Sequence, residues 1–152
     1  MLCGFLPQPD GLDAPAGNVV SWPDWEEGAK LVGLDPLHMH TGQKALTNQV
    51  ASKVQGRVLD VGCGVGGLLS LLPRSVESVG LDVSKYCVDR ARSRLDSHDN
   101  VKVINTDILD TDDENLGRFS SIVGLDVFHM LNRSHIIQKC SGLLRKHGNL
   151  IF

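Results

Sequence analysis

No stretch of this 152-residue sequence approaches the ~20 apolar residues that a helix needs to cross a bilayer, so no membrane span is expected. There is no block of lysine and arginine either. With 15 basic against 18 acidic residues the net charge is -3, which gives a nucleic-acid partner no electrostatic support. Cys3, Cys63, Cys87 and Cys140 form no C-x-x-C pair and no regular framework. That excludes an evident disulfide scaffold and fits reduced thiols in the cytoplasm. The opening Met1-Leu-Cys-Gly-Phe-Leu-Pro7 lacks a basic flank and a long apolar core, so it reads poorly as a signal peptide. No internal repeat is visible. What is present is 41% apolar and 22% charged residues, enough for a packed core in one domain of ordinary size.

Residues 1–41 read as an N-terminal arm and possible lid, with Pro, Gly and Asp frequent up to Pro23. Residues 42–152 read as the folded domain. Leu46, Val50 and Val54 recur at i, i+4, i+8, which predicts a helix with those residues on one face. Val58–Val61 then reads as a buried strand. Leu68, Leu69, Leu71 and Leu72 predict a helix that Pro73 stops. Ser78–Leu81 is a second strand. Ser84 can cap a helix carrying Cys87, Val88, Ala91 and Leu95 on one face. Val101–Ile104 is a third strand and Phe119–Leu125 a fourth. Ser134 is read as the cap of a helix with Ile136, Ile137, Cys140, Leu143 and Leu144 inward, and Asn149–Phe152 begins a fifth strand. Strands and helices at this spacing predict an α/β fold: a Rossmann-like, doubly wound parallel sheet with helices on both faces.

The first strand runs straight into Gly62-Cys-Gly-Val-Gly-Gly67. Glycines at 62, 64 and 66 permit tight backbone angles and close approach by a ligand, and a following helix would offer free N–H groups. The spacing satisfies both G-x-G-x-G and the dinucleotide pattern G-x-G-x-x-G. Three aspartates narrow the choice. Asp60, two residues before Gly62, would repel a pyrophosphate but tolerate a ligand with an ammonium and a sulfonium. Asp82 ends the second strand, where a carboxylate can accept ribose hydroxyls from NAD or S-adenosylmethionine alike. Asp107, after the third strand, could accept from an adenine amino group with Ile108 on the ring. The plain alternative is that all three are turn or cap aspartates.

Five segments together resemble class I S-adenosylmethionine-dependent methyltransferases: Val58–Gly67, Val79–Ser84, Asn105–Ile108, Phe119–Leu131 and Leu143–Phe152. The resemblance covers about residues 42–152 and lies in the order and spacing of the motifs. It implies S-adenosylmethionine as cofactor. Asp60, Gly62, Cys63, Gly64 and Gly66 would line the methionine portion, and Asp82 would hold the ribose. Val83, Thr106, Asp107 and Ile108 would surround the adenine. Leu125 would lie beside the transferable methyl. Asp126 and His129 are the catalytic candidates, with a turn cap and packing on the sheet as their alternatives. His38, His40 and Thr41 are candidates for a substrate lid. His-x-His without a third ligand is no metal site. Trp22 and Trp25 either shape an acceptor pocket or anchor the arm. Cys63 has no evident activating base, so it reads as a small apolar residue and not as a reactive thiol.

The sequence departs from the family twice. Leu144-Arg-Lys-His-Gly-Asn149 keeps one glycine of the usual fifth motif and lacks its proline, and the family's C-terminal antiparallel strands are missing. The expectation is therefore a methyltransferase acting on a small molecule, in a chain truncated after its fifth strand. A second copy or a partner could cover that strand's edge. The alternatives are a non-catalytic or partner-dependent methyltransferase-like domain and, third, a nucleotide-dependent oxidoreductase.

Overall fold

A computed structural model describes residues 41–125 and 133–152. Five parallel strands form one sheet: β1 (Val58–Val61), β2 (Ser78–Asp82), β3 (Val101–Asn105), β4 (Phe119–Val123) and β5 (Leu144–Ile151). Their order is β3-β2-β1-β4-β5. The chain moves outward from β1 to β3, then returns across the sheet to β4. The order thus reverses beside β1. At such a switch point the connections leave the two strands in opposite directions and open a crevice at the strands' carboxyl ends.

Every residue of β1 is buried. A central parallel strand is covered on both faces, which is why Val58-Leu-Asp-Val61 shows no polar alternation. Val58 packs into a first core layer with Val88, Ala91, Leu95 and Val123. Leu59 and Val61 point the other way, into a second layer with Phe119, Ile122, Ile136 and Cys140. Full burial of such a side chain contributes roughly 1.5–3 kcal/mol. By strand alternation Asp60 lies on the side of Val58, as a polar residue in an otherwise apolar layer.

Helix α1 (Thr41–Ala51) and helix α2 (Lys85–Arg94) cover the first layer. The α2 N-terminus is fixed as its sequence predicts, with Ser84 Oγ accepting from Cys87 N at 3.2 Å. Its inward residues are Cys87, Val88 and Ala91, followed by Leu95 at the end. Helix α3 (Asp113–Leu116) and helix α4 (Arg133–Leu143) lie on the second layer, to which Leu116, Ile136, Cys140 and Leu143 contribute.

Several predicted elements differ in the structure. Leu46 is half-exposed while Thr47 and Val50 are buried, so the inward face of α1 is rotated by about one residue. The segment after the glycine loop makes only a 3-10 turn, Leu69–Leu71, before Pro73, with Leu71 outside. Five residues between Gly67 and Pro73 leave little room for a longer helix. Ser134 lies inside α4 and is exposed, so it is no cap. Ile137 is also exposed, and Leu144 already belongs to β5. β4 ends at Val123, two residues before Leu125.

The fifth strand carries an irregularity. Phe119 pairs with Leu144 but Ser121 pairs with Asn149, so two residues of β4 are answered by five of β5. The surplus is taken up around His147, at φ 65, and Gly148, where an added Cβ would lie 3.1 Å from the Ser120 carbonyl. Regular pairing resumes at Asn149, the residue at which the sequence predicts the strand to begin. Buried Ser121 also fastens the link between α1 and β1: its Oγ accepts from Gln55 N at 3.0 Å and donates to Gln55 O at 3.1 Å.

Candidate functional site

The glycine loop leaves β1 at the switch point. Gly62, Gly64 and Gly66 have φ of 71, 52 and 81, left-handed conformations that other residues adopt at a cost. The N–H groups of Gly62 and Cys63 both donate to Leu81 O, at 2.8 and 2.9 Å, so the loop is laced to the end of β2. Gly66 packs against α2, where an added Cβ would come within 2.9 Å of Leu95 Cδ1. Gly64 differs: a Cβ there would meet nothing within 4 Å. Its bare face opens onto space, as a cradle for a ligand requires.

Asp82 is the hub of the site. Its Oδ2 accepts from Gly64 N at 2.8 Å and its Oδ1 from Ser84 N at 2.9 Å. Its backbone carbonyl accepts from Thr106 N at 3.0 Å and from Asn105 Nδ2 at 2.9 Å. One residue thus ties the glycine loop, the start of α2 and the end of β3 together. A carboxylate offers about four lone-pair sites. The two N–H groups occupy one on each oxygen.

Asp60 lies beside it, 3% exposed. Burial first and the charge of Asp82 second push its carboxyl up from its ordinary 3.8 to about 8. Burial likewise pushes the Cys63 thiol well up, with Asp60, Asp82 and Cys87 adding to the shift. Cys63 is therefore a neutral packing residue against β2, as its sequence context suggests. Gly80 makes that packing possible, since a Cβ there would fall 2.6 Å from Leu69 Cδ1 and 2.8 Å from Cys63 Sγ.

The structure brings together Asp60, Gly62, Cys63, Gly64, Gly66, Asp82 and Val83, with Thr106 and Asp107 following at the end of β3. Val83 is partly exposed. Asp107 caps the 3-10 turn Ile108–Asp110, its Oδ1 accepting from Leu109 N at 2.9 Å. Here the plain cap reading holds for one oxygen. The Ile108 side chain is 3% exposed and belongs to the second core layer. Leu125 is partly buried against the first layer. Asp126, His129, His38 and His40 lie outside the described residues, as do Trp22 and Trp25. Thr41 is the first residue of α1, and its side chain also lies outside them.

Sequence reasoning misses Asn105. Its amide donates to Asp82 O and to Val83 O, both at 2.9 Å, and so sets the backbone between the two. No spacing rule singles out this residue, because the contact follows from the parallel pairing of Asp82 with Asn105. Gly80 was the better signal, being a glycine inside a strand. A cleft of about 290 Å³ lies elsewhere, lined by Arg57, Val79, Lys102, Ile104 and Asn115 among others, and shares only Thr106 with these candidates. No cluster of three or more metal-ligating side chains occurs among the described residues, and no described helix is long and apolar enough to cross a membrane.

Two curated proteins and one solved structure place these features among known ones. The carboxy-S-adenosyl-L-methionine synthase of Staphylococcus epidermidis is 32% identical over 98 residues, covering 62% of this chain and 42% of that protein. The ribosomal RNA small subunit methyltransferase C of Haemophilus influenzae is 30% identical over 95 residues, covering 60% and 28%. This chain thus spans less than half the length of the curated relatives it matches. Magnesium protoporphyrin IX methyltransferase from Synechocystis, solved with bound S-adenosylmethionine, has the same fold with a TM-score of 0.66 at 17% identity, covering 86% of this chain and 74% of that one. Residues 58–148 match the family described as methyltransferase domain. That stretch begins on the first residue of β1 and ends inside β5, so it takes in the glycine loop, Asp60 and Asp82, and the chain belongs to the methyltransferase domain family.

Proposed function

We infer that this chain binds S-adenosylmethionine at the glycine loop and carries the cofactor half of a methyltransferase acting on a small molecule. One observation supports this above the others: the buried carboxyl of Asp60 and the half-buried one of Asp82 adjoin a loop whose Gly64 faces open space. That arrangement suits a cationic ligand and opposes a pyrophosphate. A dinucleotide site also relies on a helix N-terminus after the loop, and here only a 3-10 turn follows.

In this reading Gly62, Cys63, Gly64 and Gly66 line the methionine portion through their backbone, with Asp60 beneath. Asp82, at the end of β2, accepts the ribose hydroxyls. Val83, Thr106, Ile108 and the second oxygen of Asp107 border the adenine, and Leu125 borders the reacting end. S-adenosylmethionine supplies an electrophilic methyl on a sulfonium. The chain's own part is to hold and orient the donor and to keep water from it. Asp126 and His129 remain the candidates for contact with the acceptor, and His38, His40 and Thr41 for a lid. A small acceptor agrees with the net charge of -3 and the lack of a basic block.

Calorimetry with S-adenosylmethionine, S-adenosylhomocysteine and NAD tests the cofactor, with binding of the first two only as the expected result. Binding of NAD alone would sink the reading. Methyl transfer to a metabolite panel and to ribosomal RNA then tests the acceptor, and transfer to RNA alone overturns the small-molecule reading.

A further inference from the structure

The chain of β2 runs on past the point where β1 leaves the sheet. The N–H groups of Gly62 and Cys63 both donate to Leu81 O, and there the glycine loop turns away, with Gly62 at φ 71. One residue farther along, Asp82 O faces the other neighbour, β3, where Thr106 N donates to it at 3.0 Å and Asn105 Nδ2 at 2.9 Å. A trans peptide is planar, with its C=O and N–H opposed. No described peptide is cis. The Val83 N–H is therefore turned away from β3, toward the side on which β1 has given way to the glycine loop. No acceptor among the described residues takes it. Asn105 Nδ2 also donates to Val83 O at 2.9 Å, so the next peptide is held too, and its N–H, that of Ser84, reaches Asp82 Oδ1 at 2.9 Å. One exposed amide on β3 thus orients two successive peptides beside the cradle.

We propose that Asn105 is a positioning residue of the cofactor site, which aims the Val83 N–H at a ring nitrogen of the donor's base. This rests on the cofactor reading above. With Asp82 on the ribose hydroxyls, the next backbone donor meets the edge of the base beside the 2′-hydroxyl. In adenosine the ring acceptor on that edge is N3. A backbone donor that a ligand shields from water needs an acceptor in that ligand. Its direction is set by its peptide plane, and a hydrogen bond weakens steeply when that direction is lost. Asn105 acts through the plane and touches no ligand atom in this role. Its loss frees the Asp82 and Val83 carbonyls and leaves every ligand-contacting group in place.

Calorimetry of the full chain with S-adenosylhomocysteine and with its 3-deaza analogue, in which a C–H replaces N3, reads this contact. The wild-type chain should bind the first roughly three- to tenfold tighter, the worth of one hydrogen bond. Asn105→Ala should bring the two affinities to within about twofold of each other by weakening S-adenosylhomocysteine, with Tm nearly unchanged. Asn105→Asp keeps the size of the side chain but turns no donor to the two carbonyls, and it should do the same. A substitution that merely loosened the fold would weaken both ligands alike and keep their ratio. Equal binding of the two ligands by the wild-type chain overturns the proposal, as does a wild-type ratio retained in Asn105→Ala. Failure of S-adenosylhomocysteine itself to bind the wild-type chain overturns the cofactor reading instead, so the failures are distinguishable.

Discussion

At the scale of single residues, Asp82 and the glycines make opposite demands. Asp82 matters for what it accepts. Asp82→Ala strips the acceptors from Gly64 N and Ser84 N and from the proposed ribose contact. Cofactor affinity should fall by ~1–3 kcal/mol, the usual cost of leaving hydrogen-bonding groups without their partner; calorimetry reads this, and unchanged affinity would remove the ribose role. The glycines matter for what they leave empty. Gly80→Ala forces a Cβ against Leu69 and Cys63 and should destabilise the fold by ~1–3 kcal/mol, as overpacking does. Gly64→Ala meets no protein atom. It should cost the fold only ~1–2 kcal/mol for its positive φ, yet weaken cofactor binding far more than that strain explains. Denaturant melts and binding constants for the two variants separate packing from ligand contact. The glycine pattern marks Gly64 and not Gly80, and only the contacts show that protein atoms fill the space beside Gly80 while Gly64 faces open space.

At the scale of elements, the ends of β2 and β3 and the start of α2 behave as one joint. Ser84 caps α2 through Cys87 N, and Ser84→Ala should lower stability by ~1 kcal/mol. Its backbone N–H still reaches Asp82, so cofactor affinity should change much less. Asn105→Ala is the converse case. The residue is exposed and its loss costs little stability, but Asp82 and Val83 lose the amide that sets their backbone. Cofactor affinity should drop several-fold with Tm nearly unchanged, and a fall in Tm without a fall in affinity would mark Asn105 as merely structural. The Ser84 cap was legible because capping is local, set by residues three apart. Asn105 was not, because its acceptors are more than twenty residues away in sequence. The 3-10 turn after the loop and the outward Ile137 were misread for the same reason: periodicity proposes an apolar face, and packing decides how much of it is covered.

At the scale of the whole molecule, a buried acid couples stability to pH. Asp60 titrates near 3.8 in an ordinary environment and near 8 in the fold. The folded state therefore holds more protons than the unfolded one between those values. Stability contributed by this group is present below about pH 4 and is lost progressively as pH rises toward 8. Chemical denaturation across that range should show the slope for the chain without cofactor, and Asp60→Asn should flatten it and leave the variant more stable at pH 8. A wild-type chain whose stability rises over the same interval, with Asp60→Asn unchanged, would contradict the raised carboxyl of buried Asp60.

By itself the sequence determined the parallel α/β architecture, the glycine loop and the aspartates around it. Those follow from local rules: β-branched runs bounded by glycines, a capping serine and strand ends marked by carboxylates. The tertiary structure decided the rest. It set the strand order that opens the crevice at β1 and brought Asn105 to Asp82. It also placed Asp60 close enough to Asp82 for the two charges to oppose each other. These depend on which strands become neighbours, and that is fixed by the packing of two apolar layers from residues far apart in the chain.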